Sequence, residues 1–278
     1  WRTADSSQSQ ASASALRDRL RRLGELLLGP LPADHGGALW VAPHAELFHI
    51  PWTALEGPGG EALIDGALFS LTPGAGVVAG LLKDPPARPA SVGLCGVSSD
   101  DLPMVRRELR ALAGLRTTAS VVETATRQDF LDMLATHDAV HLAGHAVFLD
   151  GLPGASGLRL ADGYLTVHDL AATRIRASLV SFGVCSGVRM GDRTDHRYEG
   201  FLRALLAGGV RTVVGAISPV RDEVACDFDL EFFRRLEEGS DPGAAFRGAV
   251  GELRRQDPHP ATWGNFHFYG DQRSWRIA

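Results

Sequence analysis

A histidine and a cysteine are the residues whose side chains could carry out nucleophilic catalysis. His145 lies in the segment HLAGHAVF (141–148) and Cys185 in VSFGVCSG (180–187). A thiol attacks a carbonyl carbon as its thiolate, and a neighbouring imidazole can take the thiol proton. The nearest backbone N–H groups that could stabilise an oxyanion belong to Ala146 and to Cys185 itself. These residue types predict a thiol-dependent acyl-transfer reaction, provided that the fold brings the two side chains together.

Structural roles compete with this interpretation. A cysteine flanked by apolar residues is more often a buried hydrophobic residue than a nucleophile, and this is what we predict for Cys95 and Cys226. His141 and His145 have the HxxxH spacing of zinc ligands on a helix, but their segment is predicted to be a strand followed by a loop. A metal site is therefore not predicted. We expect His141 to be a core histidine that is hydrogen-bonded within the strand layer.

Short apolar segments alternate with amphipathic helices along the chain. Strands are predicted at residues 38–42, at the start of 66–76, and at 91–97, 120–123, 139–143, 178–184, 210–217 and 265–270, and a shorter extended piece is predicted at 46–52. This alternation is typical of a mostly parallel α/β sheet, in which ligands bind at the carboxyl ends of the strands. His145 and Cys185 each lie just past the end of a predicted strand. If those two strands are neighbours, both side chains lie at the functional edge of the sheet.

Composition limits the class of protein. The chain has 278 residues, is 45% hydrophobic and carries a net charge of -5, so no basic field predicts direct binding of nucleic acid. No apolar run is long enough to span a bilayer, so no membrane association is predicted. The three cysteines are few and widely spaced, which indicates a reducing, cytoplasmic location without disulfides. Lys83 is the only lysine, a bias that suggests a GC-rich, bacterial coding sequence.

The chain is expected to have two structured parts. Residues 1–14 are rich in Ser, Ala and Gln and indicate a linker or a frayed end. Three prolines between Lys83 and Pro89 mark a boundary between a smaller part at 15–90 and a larger one at 91–278. The first methionine is at position 104, so we expect the chain to be a fragment whose missing N-terminal region, a repeat or sensor domain, regulates access to the site.

Six blocks in order resemble the CHAT domain, a caspase-like cysteine peptidase domain often found behind tetratricopeptide repeats. They are ELLLGPL with ALWVAPHAELFHIPWTAL, DDLPMVRREL, AVHLAGHAVF, LVSFGVCSG, GFLRALLAGGVRTVVGAISPVRDE and ATWGNFHFYGD. The resemblance implies a caspase-like three-layer α/β sandwich with a mostly parallel sheet, in which 91–278 is the catalytic half and 15–90 a pseudo-protease-like half.

The same resemblance implies that Cys185 is the nucleophile and that His145, not His141, is its basic partner, with no cofactor. The family usually has glycine after this histidine, where this chain has Ala146, and a backbone that needed a positive φ would be strained there. Asp222, in PVRDE, resembles the acid by which separases recognise a P1 arginine, which implies a role in the S1 pocket. An N-cap of a helix at 223–238 is an equally good role for this residue.

The implied function is an endopeptidase that cleaves a partner protein after a basic residue. Bacterial members of this group act in defence and cleave proteins such as gasdermin-like pore formers, so the resemblance implies a role of that kind. One alternative is a catalytically silent pseudo-peptidase that serves as a protein-binding module, although the chain keeps both His145 and Cys185. Another is a different thiol hydrolase or acyltransferase on the same sheet.

Overall fold

The computed structural model describes residues 6–29, 38–57, 60–66, 68–84, 87–116, 118–147, 157–184 and 197–273. The strands are β1 Ala38–Val41, β2 Leu68–Leu71, β3 Val92–Gly96, β4 Ala119–Val122, β5 Ala139–Val147, β6 Gly157–Leu160, β7 Gly163–Leu165, β8 Leu179–Val184, β9 Thr212–Ala216 and β10 Phe266–Gly270. The helices are α1 Ser6–Leu28, α2 Leu63–Gly66, α3 Ala75–Leu81, α4 Val105–Gly114, α5 Arg127–Thr136, α6 Val167–Ala171, α7 Arg197–Ala207, α8 Asp222–Glu237, α9 Pro242–Gln256 and α10 Pro260–Trp263.

One sheet joins nearly all of these strands, in the order β1-β2-β10-β9-β8-β5-β3-β4. Every neighbouring pair along this path is parallel except β9 and β10, which are antiparallel. A hairpin of β6 and β7 pairs antiparallel with the last residues of β5. The prediction of a mostly parallel α/β sheet is therefore confirmed.

Helices cover both faces of the sheet, as β3 shows. Successive residues of a strand point to opposite faces, so Gly93 and Gly96 lie on different sides of β3. A Cβ placed on Gly96 would lie 2.7 Å from Cγ1 of Val105 in α4, whereas one on Gly93 would lie 3.0 Å from Sδ of Met133 in α5. The two helices thus sandwich the strand. Because both faces are covered, all residues of β3, β9 and β10 are buried, which explains why these strands are nearly continuous apolar runs.

The N-terminal strands belong to the same sheet as the larger part of the chain. β2 pairs with β10, and the Oγ of Ser70 donates a hydrogen bond to the carbonyl oxygen of Gly270 at 2.7 Å. The indole Nε1 of Trp40 donates to the same oxygen at 3.0 Å, and the Oγ1 of Thr53 donates to that of Phe266 at 2.6 Å. The described strands before and after the proline-rich segment therefore belong to one sheet, which is joined where β2 pairs with β10. A domain boundary at residue 90 stays a prediction.

Two segments differ from the prediction. Helix α1 begins at Ser6, so residues 6–14 are helical rather than a linker; their alanines and glutamines are good helix formers. Residues 46–52, predicted to be extended, lie in two 3₁₀ turns at Ala45–His49 and Trp52–Ala54. Within the described part of the chain, no helix combines the length and apolarity that crossing a membrane requires.

Candidate active site

His145 lies where the parallel pairing of β5 ends. The register of β5 with β8 runs from Ala139 opposite Leu179 to Gly144 opposite Val184, and His145 is the next residue. It is still within β5, because it pairs with Arg159 of β6 in the hairpin. The prediction that the strand ends before His145 is therefore wrong: β5 continues to Val147. Pairing with β6 therefore fixes the backbone of His145, the residue that carries the imidazole.

The imidazole of His145 faces a loop that follows β3, on the side of β5 away from β8. Its Nε2 atom lies 3.2 Å from Oδ2 of Asp101 and 3.3 Å from Oγ of Ser99. The Oγ of Ser99 also donates a hydrogen bond to Oδ1 of Asp101 at 2.6 Å. This bond, and then the contact with His145, holds the pKa of the Asp101 carboxyl below its ordinary value.

Sequence reasoning missed Ser99 and Asp101. They could have been found from their position, since the polar segment SSDD directly follows the predicted strand at 91–97. β3 is the parallel neighbour of β5, so the residues after β3 reach the same edge of the sheet as His145.

Cys185 lies outside the described residues, as does Gly187. The structure does describe Val184, the last residue of β8, to which Cys185 is covalently bonded. Val184 is opposite Gly144, the residue that precedes His145. Both predicted catalytic residues thus directly follow residues that pair with each other in adjacent parallel strands.

The two residues that flank His145 have extended backbones. Ala146 pairs with Leu158 of β6 and is buried. Because it lies within a strand, alanine in place of the family's usual glycine requires no positive φ here. Gly144 is also within β5, so the tight turn that a glycine before the histidine could allow is not present. The role of the Ala146 N–H in an oxyanion hole stays a prediction.

Asp222 is the first residue of α8, and its carboxylate contacts another helix. Its Oδ2 atom accepts a hydrogen bond of 2.7 Å from the backbone N–H of Met104, which precedes α4. Arg221 occupies the N-cap position of α8 without a capping side-chain bond. The alternative role of Asp222 as the N-cap is therefore wrong, and the carboxylate links the starts of α4 and α8. Its assignment to the S1 pocket stays a prediction.

A buried polar cluster lies on the same face of the sheet as His145, two strand repeats deeper. Glu108 of α4, His141 of β5, Ser181 of β8 and Asp229 of α8 are all buried. Nε2 of His141 lies 2.6 Å from Oε1 of Glu108, and its Nδ1 lies 3.8 Å from Oδ1 of Asp229. The Oγ of Ser181 donates to the same Oδ1 at 2.7 Å.

Burial decides the protonation of this cluster, because each charged form loses its hydration. It raises the pKa of Glu108 to about 8, with a further contribution from the charge of Asp222. It raises the pKa of Asp229 to about 7, and it lowers the pKa of His141. Burial of His141 was predicted, but its hydrogen-bonded partner is Glu108 on a helix and not a residue of the strand layer.

The same three titratable side chains are the group that could hold a metal ion among the described residues. Their ligand atoms all lie within 4.8 Å of one another. Two ligands of one tetrahedral zinc ion, each at about 2.1 Å from it, are roughly 3.3 Å apart. The 2.6 Å between His141 and Glu108 is instead a hydrogen-bond distance, so this pair would have to separate to bind an ion.

The comparisons with known proteins agree with this architecture. The family model of the CHAT domain matches residues 17–271. No curated protein matches the chain. Two crystal structures of the Saccharomyces cerevisiae separase–securin complex, at 2.6 and 3.0 Å resolution, are similar to it, with TM-scores of 0.59 and 0.57 and identities of 16% and 17%.

These structural matches cover 83% of this chain and only 15% of the separase chain. At such identity they show the fold, which is the caspase-like α/β fold of separase. The family match covers residues 17–271, which is most of the chain. The chain belongs to the CHAT domain family.

Proposed function

We propose that the chain is a cysteine endopeptidase in which His145 and Cys185 form a catalytic dyad. The observation that carries this proposal is the register of β5 and β8, in which Gly144 is opposite Val184. His145 and Cys185 are the next residues along the chain after these two. Membership of a caspase-like protease family supports the same chemistry.

The reaction needs only groups of the chain and water. His145 takes the proton of the Cys185 thiol, and the thiolate attacks the scissile carbonyl carbon of the substrate. The N–H groups of Ala146 and Cys185 are the proposed donors to the oxyanion. The tetrahedral intermediate collapses to a thioester as His145 protonates the leaving amine. Water, deprotonated by the same imidazole, then hydrolyses the thioester and releases the acid product and the thiol.

We propose that Asp222 gives the site a preference for a basic residue at P1. A carboxylate pairs with guanidinium through two parallel hydrogen bonds and with ammonium more weakly. The backbone N–H of Met104 donates to Oδ2 of Asp222 at 2.7 Å, which holds this carboxylate at the start of α8.

The proposed substrate is therefore a partner protein cleaved after Arg, with Lys second. The separase structures also contain a protein partner, securin. By resemblance to bacterial CHAT peptidases, the proposal extends to bacterial defence with a gasdermin-like target.

A fluorogenic peptide library varied at P1 tests this function. Wild-type protein should cleave best after Arg, and Cys185→Ala and His145→Ala should each lower kcat/KM at least about a hundredfold. His168→Ala, a change of an exposed histidine on α6, is the matched control and should cleave like the wild type. If the wild type cleaves no peptide, or if Cys185→Ala still cleaves, the chain is not the peptidase that we propose.

A further inference from the structure

Three neighbouring parallel strands carry or precede the residues of the proposed site. β5 lies between β3 and β8 and is parallel to both. The loop after β3 carries Ser99 and Asp101, β5 carries His145, and β8 leads directly to Cys185. The imidazole therefore lies on the middle strand, β5. The chain leads to the carboxylate of Asp101 after β3 and to Cys185 after β8.

The hydrogen bonds of Ser99 limit which ring nitrogen of His145 carries a hydrogen. The hydroxyl hydrogen of Ser99 is directed to Oδ1 of Asp101, 2.6 Å away. Toward Nε2 of His145, 3.3 Å away, the Oγ atom can then act only as an acceptor.

The carboxylate of Asp101 imposes the same restriction. Its lowered pKa keeps it ionised at neutral pH, and an ionised carboxylate has no proton to donate. Its Oδ2 atom lies 3.2 Å from Nε2 of His145. These two contacts of Nε2 are both with acceptors, which favours a hydrogen on Nε2 and the lone pair of the neutral ring on Nδ1.

We propose that Asp101, held in place by Ser99, is a positioning residue that fixes His145 as the Nε2–H tautomer and leaves Nδ1 to take the thiol proton. This inference rests on the proposed function. When the ring becomes an imidazolium, the carboxylate also stabilises its charge, and no proton passes to Asp101. The activation step then involves a single proton transfer, from the Sγ of Cys185 to Nδ1.

A purely structural role for the Asp101 side chain has less support. The turn that contains it is closed by the backbone, because the N–H of Leu102 donates to the carbonyl oxygen of Ser99 at 3.0 Å. The side chain of Asp101 is 72% exposed, whereas that of His145 is 10% exposed. Because solvent screens an exposed charge, we expect a contribution of about tenfold to catalysis and not several thousandfold.

Asp101→Ala and Asp100→Ala form a matched pair for the first experiment, since they remove the same charge from adjacent exposed residues. Asp101→Ala should lower kcat about tenfold with KM nearly unchanged, while Asp100→Ala should leave both within about twofold. Equal melting temperatures of the two variants exclude a loss of folding. If Asp101→Ala retains the wild-type kcat while Cys185→Ala is inactive, the positioning role is wrong and the peptidase function stands.

A second readout does not depend on catalysis. Long-range ¹H–¹⁵N NMR of histidine-labelled Cys185→Ala protein, with His145→Gln used for assignment, reports which ring nitrogen is protonated. We expect Nε2–H for His145, and a mixture with Nδ1–H once Asp101→Ala is added. An Nδ1–H ring in the presence of Asp101 would overturn the inference. If the wild type cleaves nothing but the tautomer still depends on Asp101, the proposed function fails and the positioning contact remains.

Discussion

Glu108, His141 and Asp229 form a buried cluster whose protonation links stability to pH. The raised pKa values of Glu108, about 8, and Asp229, about 7, mean that the folded state binds their protons more tightly than the unfolded state. Their contribution to stability is complete below the ordinary carboxyl pKa and is lost as the pH rises through these values. The lowered pKa of His141 acts in the opposite direction, below its ordinary value of 6.5.

We therefore predict that the free energy of unfolding falls as the pH rises from 6.5 to about 9, by at most about 1.4 kcal/mol per pH unit for each group. Glu108→Gln keeps an oxygen that can accept a hydrogen bond from His141 but has no charge to desolvate, so its stability should fall less over this range. Urea unfolding at several pH values measures the difference, with Glu61→Gln, a change of an exposed residue, as the control. Equal pH slopes in wild type and Glu108→Gln would contradict the protonation of the cluster.

His141 should matter more for stability than for chemistry. His141→Ala leaves the buried carboxyls of Glu108 and Asp229 without the ring between them, which should lower the free energy of unfolding by about 3 kcal/mol. We expect kcat/KM of the folded fraction to change less than about tenfold. Denaturation and peptide cleavage of the same preparation check this, and a stability like that of wild type would show that the cluster is not a unit.

Asp222 offers a test that separates specificity from folding. Asp222→Ala removes the acceptor of the Met104 N–H, whereas Asp222→Asn keeps an oxygen acceptor and removes the charge. A close pair with an arginine is worth on the order of 3 kcal/mol, so both variants should cleave after Arg at least about a hundredfold more slowly, with a much smaller effect at a neutral P1. Only Asp222→Ala should also lose about 1 kcal/mol of stability. An unchanged P1 preference in Asp222→Asn would remove this residue from the S1 pocket.

Single residues were predictable where chemistry and local pattern coincide. His145 and Cys185 are adjacent to glycine-containing apolar runs, so they could be proposed as site residues without a structure. Asp229 could not be found as easily, because acids on amphipathic helices are usually exposed. Its burial depends on the packing of α8 against His141 and Ser181, which no local pattern reports.

In strand β8, the missing side chain of Gly183 leaves space for the carboxyl groups of the buried cluster. A Cβ on Gly183 would lie 2.8 Å from Oδ2 of Asp229 and 2.8 Å from Oε1 of Glu108. A Cβ on Gly144 of β5 would meet nothing closer than the backbone N of Val97 at 3.8 Å.

We predict that Gly183→Ala lowers stability by about 1–3 kcal/mol and reduces cleavage, because it displaces the strand that leads to Cys185. Gly144→Ala, at the residue that precedes His145, should change stability by less than about 1 kcal/mol. Thermal unfolding and kcat/KM of the two variants make the comparison. Equal tolerance of both substitutions would show that the space beside Gly183 is not needed.

The predicted elements succeed where hydrophobic pattern and capping agree. Thr126 and Asp129, whose spacing is typical of a capping box, form one at the start of α5. The β6–β7 hairpin was not predicted, since its strands are short, and the extension of β5 through His145 depends on it. Its pairing with β5 is a long-range contact that neither segment specifies by itself.

One sheet connects the N-terminal strands with the strands that position the site. Phe69 and Leu71 of β2 and Trp52 are buried, and β2 lies beside β10. The alternation of apolar strands and helices was enough to predict this class of fold. The position of β10 between β2 and β9 was not predictable, because β10 is the last of the described strands and its partner β2 lies far away in the sequence.

We predict that the chain unfolds in one cooperative transition, since separation at β2 would expose buried apolar side chains of both parts. Scanning calorimetry should give equal calorimetric and van't Hoff enthalpies. Two resolved transitions would instead support a smaller part and a larger part that fold independently about the boundary at residue 90.

The pairing of His145 with Cys185 is the central claim, and the three cysteines of the chain allow it to be tested within one molecule. Burial raises the pKa of the Cys226 thiol to about 12 and that of Cys95 above its ordinary range, so neither should react readily. The measurement is the rate at which a peptidyl electrophile with Arg at P1 labels each cysteine near neutral pH, read by mass spectrometry. We predict fast labelling of Cys185 only, slowed at least about tenfold by His145→Ala and not by His168→Ala. Labelling of Cys185 that is no faster than that of the buried cysteines, or that His145→Ala leaves unchanged, would contradict the dyad.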